Sequence, residues 1–183
     1  MNRRDFLFGT AAGLTYLGML NNPALAGINN AATNKKIKLY STKTKERISV
    51  TFWRDDWFDL DAFAEIEHLM RDWREDKTHP IDPYLIQTLH NINEATGNSD
   101  REIVITSAYR TYKTNEWLRN HPRYSAAKKS LHMHGRAVDF HIPGARLYKL
   151  RNAAQNLRKG GVGYYPKMHF VHIDTGPVRF WRV

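Results

Sequence analysis

Ten consecutive residues hold much of this chain's capacity for chemistry: Ser130-Leu131-His132-Met133-His134-Gly135-Arg136-Ala137-Val138-Asp139. With Gly135 between them, His132 and Asp139 read as a loop histidine beside a strand aspartate, and such a pair can converge on one ion. A zinc ion takes neutral imidazole nitrogen or carboxylate oxygen at roughly 2 Å, and a catalytic site uses three such ligands with the fourth position open to water. A third ligand has to come from a distant segment, and His172 in Phe170-Val171-His172-Ile173-Asp174 lies on a candidate strand. The chain has no cysteine, so any metal must be held by His, Asp or Glu. Spacing alone leaves an alternative open. Nine histidines make a chance His–Asp pair common, and His132 or His172 would then be a hydrogen-bonded structural residue.

These groups need elements to hold them. Leu39-Tyr40 and Ile48 to Trp53 alternate as short strands do, with Lys43-Thr44-Lys45 as the turn between them. Phe63, Ile66, Met70 and Trp73 follow at helical spacing, with Asp59 or Asp61 as the cap. Asp82 caps a second helix, which has Pro83 at its first position, Leu85, Ile86, Leu89 and Ile92 on one face, and Gly97 at its end. Ile103 to Thr106 is a β-rich run into Ser107-Ala108-Tyr109-Arg110-Thr111. A short helix from Thr114 to Arg119 and a basic loop from Pro122 to Lys129 come next. Arg136 to Ile142 alternates as a strand, and Leu147, Leu150, Ala154 and Leu157 mark a third substantial helix closed by Gly160-Gly161. The remainder reads as a meander of strands at Val162–Tyr165, Phe170–Asp174 and Val178–Arg182. Helices come mostly first, strands mostly last, and no βαβ rhythm is present. The expected fold is an α+β single domain with helices packed on a small antiparallel sheet.

Composition narrows the partners. Over 183 residues, 42% are hydrophobic and 12% aromatic, which is globular, and the net charge is +10 with a pI of about 9.9. A basic balance suits nucleic acid, an anionic surface or an acidic polymer. Residues 1–26 read as an export signal: Arg3-Arg4, an apolar stretch from Phe6 to Leu20 diluted by Gly and Thr, then Ala24-Leu25-Ala26 as a small-x-small cleavage site. Asn2-Arg3-Arg4-Asp5-Phe6-Leu7 is similar to a twin-arginine signal, although an ordinary secretory signal with two chance arginines fits as well. Residues 27–38 are polar and read as a flexible tether, leaving 39–183 as the working domain. The mature chain is therefore expected in the periplasm, without a membrane span and without nucleic acid, as a monomer. It keeps 26 basic and 17 acidic residues, a charge that suits an anionic wall polymer.

Ser-x-His-x-x-Gly-x-Ala-x-Asp, every fixed position of which is present at 130–139, is the signature of the M15 zinc D-Ala-D-Ala carboxypeptidase and endopeptidase family. The segment Ser107-Ala108-Tyr109-Arg110-Thr111 is similar to the family's Ser-x-Tyr-Arg. Gly160-Gly161-Val162-Gly163-Tyr164-Tyr165-Pro166 and the segment from Phe170 to Gly176 resemble one branch, that of murein endopeptidase K. The likeness runs from about Leu39 to Trp181. It implies a Hedgehog/DD-peptidase-like fold, zinc at His132, Asp139 and His172, and peptidoglycan cross-links of L,D or D,D type as substrate. It also implies that Arg110 lies beside the zinc and polarises or anchors the scissile carbonyl.

The general base stays open between two residues. Related branches place an acid three residues before the last zinc ligand, where this chain has His169. If Phe170–Asp174 is a strand, His172 and Asp174 share a face and His169 points away, which favours Asp174 as base or as a group that orients the ligand. His141 shares the strand face of Asp139 and is a substitute ligand. His134 is expected in the groove, and His68, His79, His90 and His121 at the surface or at caps. Tyr109, Ser130 and Tyr164 are expected to bind substrate, with Tyr165 as the alternative to Tyr164. Lys128, Lys129 and Arg136 are placed to attract the carboxylates of wall peptides, unless they form a solvated face. Two other functions compete: a wall-binding module without turnover, and a zinc carboxypeptidase or dipeptidase on D-amino-acid peptides.

Overall fold

A computed structural model describes residues 34–121 and 126–183. The expected export segment 1–26, residues 27–33 of the expected tether and residues 122–125 of the expected basic loop lie outside the described residues. Among the described residues, eight strands form one sheet: β1 (Lys35–Ser41), β2 (Arg47–Arg54), β3 (Trp57–Phe58), β4 (Ile103–Ser107), β5 (Ala137–His141), β6 (Gly161–Tyr165), β7 (Phe170–Asp174) and β8 (Arg179–Arg182). The described residues also form four α-helices: α1 (Leu60–Leu69), α2 (Pro83–Ala95), α3 (Tyr112–Arg119) and α4 (Leu147–Leu157). None of the described helices is long and apolar enough to cross a membrane.

The fold is α+β, but its sheet is neither small nor wholly antiparallel. Strand order is β3-β2-β1-β4-β5-β7-β6-β8, with β1 parallel to β4 and β8 parallel to β6. The expected terminal meander is thus broken: the chain leaves β7, passes β6 and adds β8 on its far side. The first strand also begins earlier than the sequence suggests. Lys35 to Lys38 pair with β2, so the last four residues of the expected tether belong to the sheet.

Local chemistry explains the helix starts. The Asp59 side chain accepts from the Ala62 amide, Asp82 from Tyr84 with Pro83 at the first turn, and Thr111 from Thr114. Helix α1 stops at Leu69, leaving Trp73 outside it and 44% exposed, not on its buried face. One face of the sheet presents Leu39, Phe52, Phe140, Val171 and Ile173, which pack with Ile66, Leu85, Leu89 and Leu150 of the helices into a single core. Burying each such side chain contributes roughly 1.5–3 kcal/mol. The opposite face of β5, β7 and β6 is free to carry polar groups.

Candidate metal centre

Strand register brings two of the three candidate ligands together. Asp139 on β5 lies directly opposite His172 on β7, so their side chains project from the same face. His132 approaches from outside the sheet on a single 3-10 turn, Leu131–His134. Gly135 ends that turn with φ of 63°, and a Cβ there would run into the Pro80 carbonyl, so only glycine lets the chain turn straight into β5.

One ligand atom from each of His132, Asp139 and His172 lies within 4.8 Å of the others. His172 Nδ1 is 2.8 Å from Asp139 Oδ1, and His132 Nε2 is 3.3 Å from His172 Nδ1. The outer nitrogens fix the tautomers. His132 Nδ1 donates to the Ala108 carbonyl at 2.7 Å, which leaves the Nε2 lone pair facing the cluster. His172 Nε2 donates to Asp174 Oδ2 at 3.0 Å, which turns Nδ1 inward. Orienting partners of this kind are what metal-bound histidines use.

Electrostatics agree with that geometry. Burial first, then the Arg110 charge, pushes His132 down to about 4, so it is neutral and able to ligate near pH 7. Burial opposes ionisation of Asp139, but His132 and His172 outweigh it and hold the carboxyl well below its ordinary range. Burial also lowers His172, yet its hydrogen bonds to Asp139 and Asp174 win and leave it raised. The ring thus lies between two carboxylates, one at each nitrogen. Among the described residues this is the one group of three such donors able to hold a metal ion, and two imidazoles with one carboxylate are a fitting donor set for zinc.

The cluster lies in the wall of a groove of about 350 Å³. Arg110 borders it: its Nε donates to Ser107 Oγ at 2.9 Å and its Nη2 to Asp139 Oδ2 at 3.0 Å. A family model described as peptidoglycan L,D-endopeptidase MepK matches residues 29–181. The chain is 39% identical over 182 residues to the peptidoglycan L,D-endopeptidase MepK of Escherichia coli strain K12, covering 98% of this chain and 97% of that protein. It is 37% identical over 183 residues to a probable peptidoglycan L,D-endopeptidase MepK of Haemophilus influenzae, covering 99% and 96%. The chain belongs to the MepK family. No solved structure matches it.

Within this MepK-family site, several expected residues take other positions. Asp174 shares the face of His172 and also lines the groove. Its Oδ1 accepts from the Gly161 and Gly176 amides and from Arg179, and its Oδ2 from His172 and Arg179. With its side chain fully buried, those bonds outweigh burial and hold the carboxyl well below its ordinary range. Its partners are thus His172 on one side and Arg179 on the other. His169 sits in the turn before β7 with φ of 59°, and its ring meets His141 edge-on at 5.2 Å instead of lining the groove. His141 is accordingly not in the three-donor cluster.

Ser130 lines the groove, but Tyr109 and Tyr164 do not. Tyr109 stacks on His79 at 4.7 Å. Tyr164 is opposite Val171 and packs on the core, whereas Tyr165, opposite Phe170, shares the cluster's face and lines the groove. Trp181 was not foreseen: its Nε1 donates to the Tyr165 hydroxyl at 3.0 Å and its ring lies 5.2 Å from that of His172. A Cβ on Gly163 would strike the Trp181 ring at 2.6 Å, so the glycine admits the indole beside the ligand. The signal for it was that glycine, set between Val162 and Tyr164 in the strand interior. His134 is exposed and outside the groove, and His90 is buried with Nδ1 3.1 Å from the Lys36 carbonyl, not a surface residue. Arg136 donates to Thr175 and is a structural residue rather than a free cation.

Proposed function

We propose that the protein is a zinc-dependent murein endopeptidase that hydrolyses L,D cross-link bonds in peptidoglycan. The observation that carries this reading is the convergence of His132 Nε2, Asp139 Oδ1 and His172 Nδ1 beside an open groove. The names of the relatives favour L,D over D,D bonds and an endopeptidase over a carboxypeptidase. Zinc held there would polarise the scissile carbonyl and lower the pKa of a water toward ~7.

The chain's own residues supply the rest. Arg110, fixed by Ser107 and Asp139, aims a cation at the carbonyl oxygen as charge develops on it, a contribution on the order of 3 kcal/mol. Asp174 acts through His172, keeping its Nε2 protonated and its Nδ1 turned inward. Ser130 and Tyr165 flank the peptide in the groove.

The test is digestion of purified sacculi with and without a chelator, followed by mass spectrometry of released muropeptides. Loss of L,D cross-linked dimers, abolished by the chelator, is the expected outcome. Binding to sacculi without release would mark a wall-binding module instead, and release of single terminal residues a carboxypeptidase. We also propose export to the periplasm by the twin-arginine route. Arg3→Lys with Arg4→Lys then leaves precursor in the cytoplasm, and unchanged processing would indicate the ordinary secretory route.

A further inference from the structure

One arm of the groove is built from a loop that catalysis does not explain. Residues 71–77 follow α1 and are pinned by an unusual number of polar anchors. Arg71 grips both oxygens of Glu46 at 2.7 and 3.1 Å and also bonds Asp76 at 2.7 Å. Asp72, only 2% exposed, accepts from the Thr111 amide and hydroxyl at 2.8 and 2.9 Å and from the Arg74 amide at 3.0 Å. Asp72 and Lys77 pair their backbones, and Glu75 holds Lys113 at 2.9 Å.

All of this fixes Arg74, whose guanidinium lies 4.4 Å from the Trp73 ring and 5.1 Å from the Trp117 ring. Two indoles hold a cation in place without neutralising it. Among the described residues no carboxylate pairs with Arg74, nor with Lys43 or Lys129, although all three line the groove that the metal cluster borders. The other charges along the groove are matched. Asp139 pairs with Arg110, and Asp174 with Arg179. What remains is a preformed, unneutralised cationic arm beside the cluster, and a planar guanidinium in fixed orientation suits a carboxylate in particular.

We infer that Arg74, clamped by Trp73 and Trp117 and joined by Lys43 and Lys129, forms a subsite for a free carboxylate of the stem peptide flanking the cleaved bond. The inference rests on the endopeptidase reading for the identity of the peptide, and it adds what that peptide must carry. Amidated stems, which lack the charge, are then poor substrates.

The test uses the zinc-loaded protein and a pair of synthetic cross-linked stem peptides, one with the carboxylates beside the scissile bond free and one with them amidated. Hydrolysis and calorimetric binding are both measured. The wild type favours the free acid about tenfold in kcat/KM, mainly through KM, and binds it correspondingly tighter. Arg74→Gln loses that preference by weakening only on the free acid, and Lys129→Gln loses part of it. Arg47→Gln removes an equal charge already paired with Glu102, away from the loop and the groove, and keeps the full preference. Equal preference in wild type and Arg74→Gln would overturn the subsite and leave the peptidase intact. A preference in binding with no hydrolysis of either peptide would keep the subsite and reject the endopeptidase.

Discussion

The two walls of the groove treat charge in opposite ways. On the strand wall every ionised group is matched: Asp139 by Arg110 and two imidazoles, His172 by two carboxylates, Asp174 by Arg179 and two backbone amides. On the loop wall Arg74, Lys43 and Lys129 have no acid partner among the described residues, although the loop itself is firmly anchored. Matched charge fixes geometry, because a buried ion with all its partners has one low-energy arrangement. Unmatched charge on a rigid support is kept for something that arrives. In the proposed function the strand wall serves chemistry and the loop wall recognition.

Mutations on the two walls should fail in different currencies. The largest effect falls on the strand wall, where His132→Ala, Asp139→Ala or His172→Ala each removes most bound zinc and nearly all activity, since three ligands leave no redundancy. Metal analysis of the purified variants checks this, and full occupancy in Asp139→Ala would point to another ligand set. Arg110→Ala keeps zinc but loses about 10²–10³-fold in kcat, as expected when one oxyanion donor is removed.

Asp174→Ala comes next, and it discriminates between two roles. An orienting group costs about 10–100-fold in metal affinity when removed, whereas a base would leave zinc in place and reduce only the rate. Competition titration with a chelator reads the difference. The same titration against pH has a definite sign: because His172 is raised and must lose a proton to ligate, zinc affinity falls as pH drops through that raised value.

The smallest effect concerns the anchors of the loop wall. Arg71 lowers Glu46 to about 2. A depressed carboxylate stabilises the fold above its unfolded value, near 4.5, and that contribution is lost as pH falls toward about 2. The Glu46 side chain is 36% exposed, so the contribution is at most about 1 kcal/mol. Glu46→Gln should lower Tm slightly at pH 6 and not at all near pH 2.

The sequence made some of this readable and hid the rest for physical reasons. His132, Asp139 and His172 lie in short segments where residue type and spacing are already the message. The alternation of β5 and β7 also put Asp174 on the face of His172. It could not reveal that Arg179 and the Gly161 and Gly176 amides fill its oxygens, because those partners come from chain closure around β8. Both parallel pairings were missed, since local periodicity carries no information about which distant strand lies alongside. The choice between Tyr164 and Tyr165 depended on Gly163 lying opposite His172, a register that a single strand does not contain. The pairing of His169 with His141 followed from a positive φ in a turn that nothing in Pro166-Lys167-Met168 announces.

As a metal-dependent cross-link hydrolase, the protein proposed above needs its three-donor cluster loaded with zinc for turnover. The most direct measurement strips the purified protein with a chelator, adds zinc back stepwise and follows muropeptide release from sacculi at each step. The account predicts no release from the stripped protein and recovery that saturates at one zinc per chain, with Asp139→Ala silent throughout. Undiminished release after stripping, or full recovery in Asp139→Ala, would contradict it.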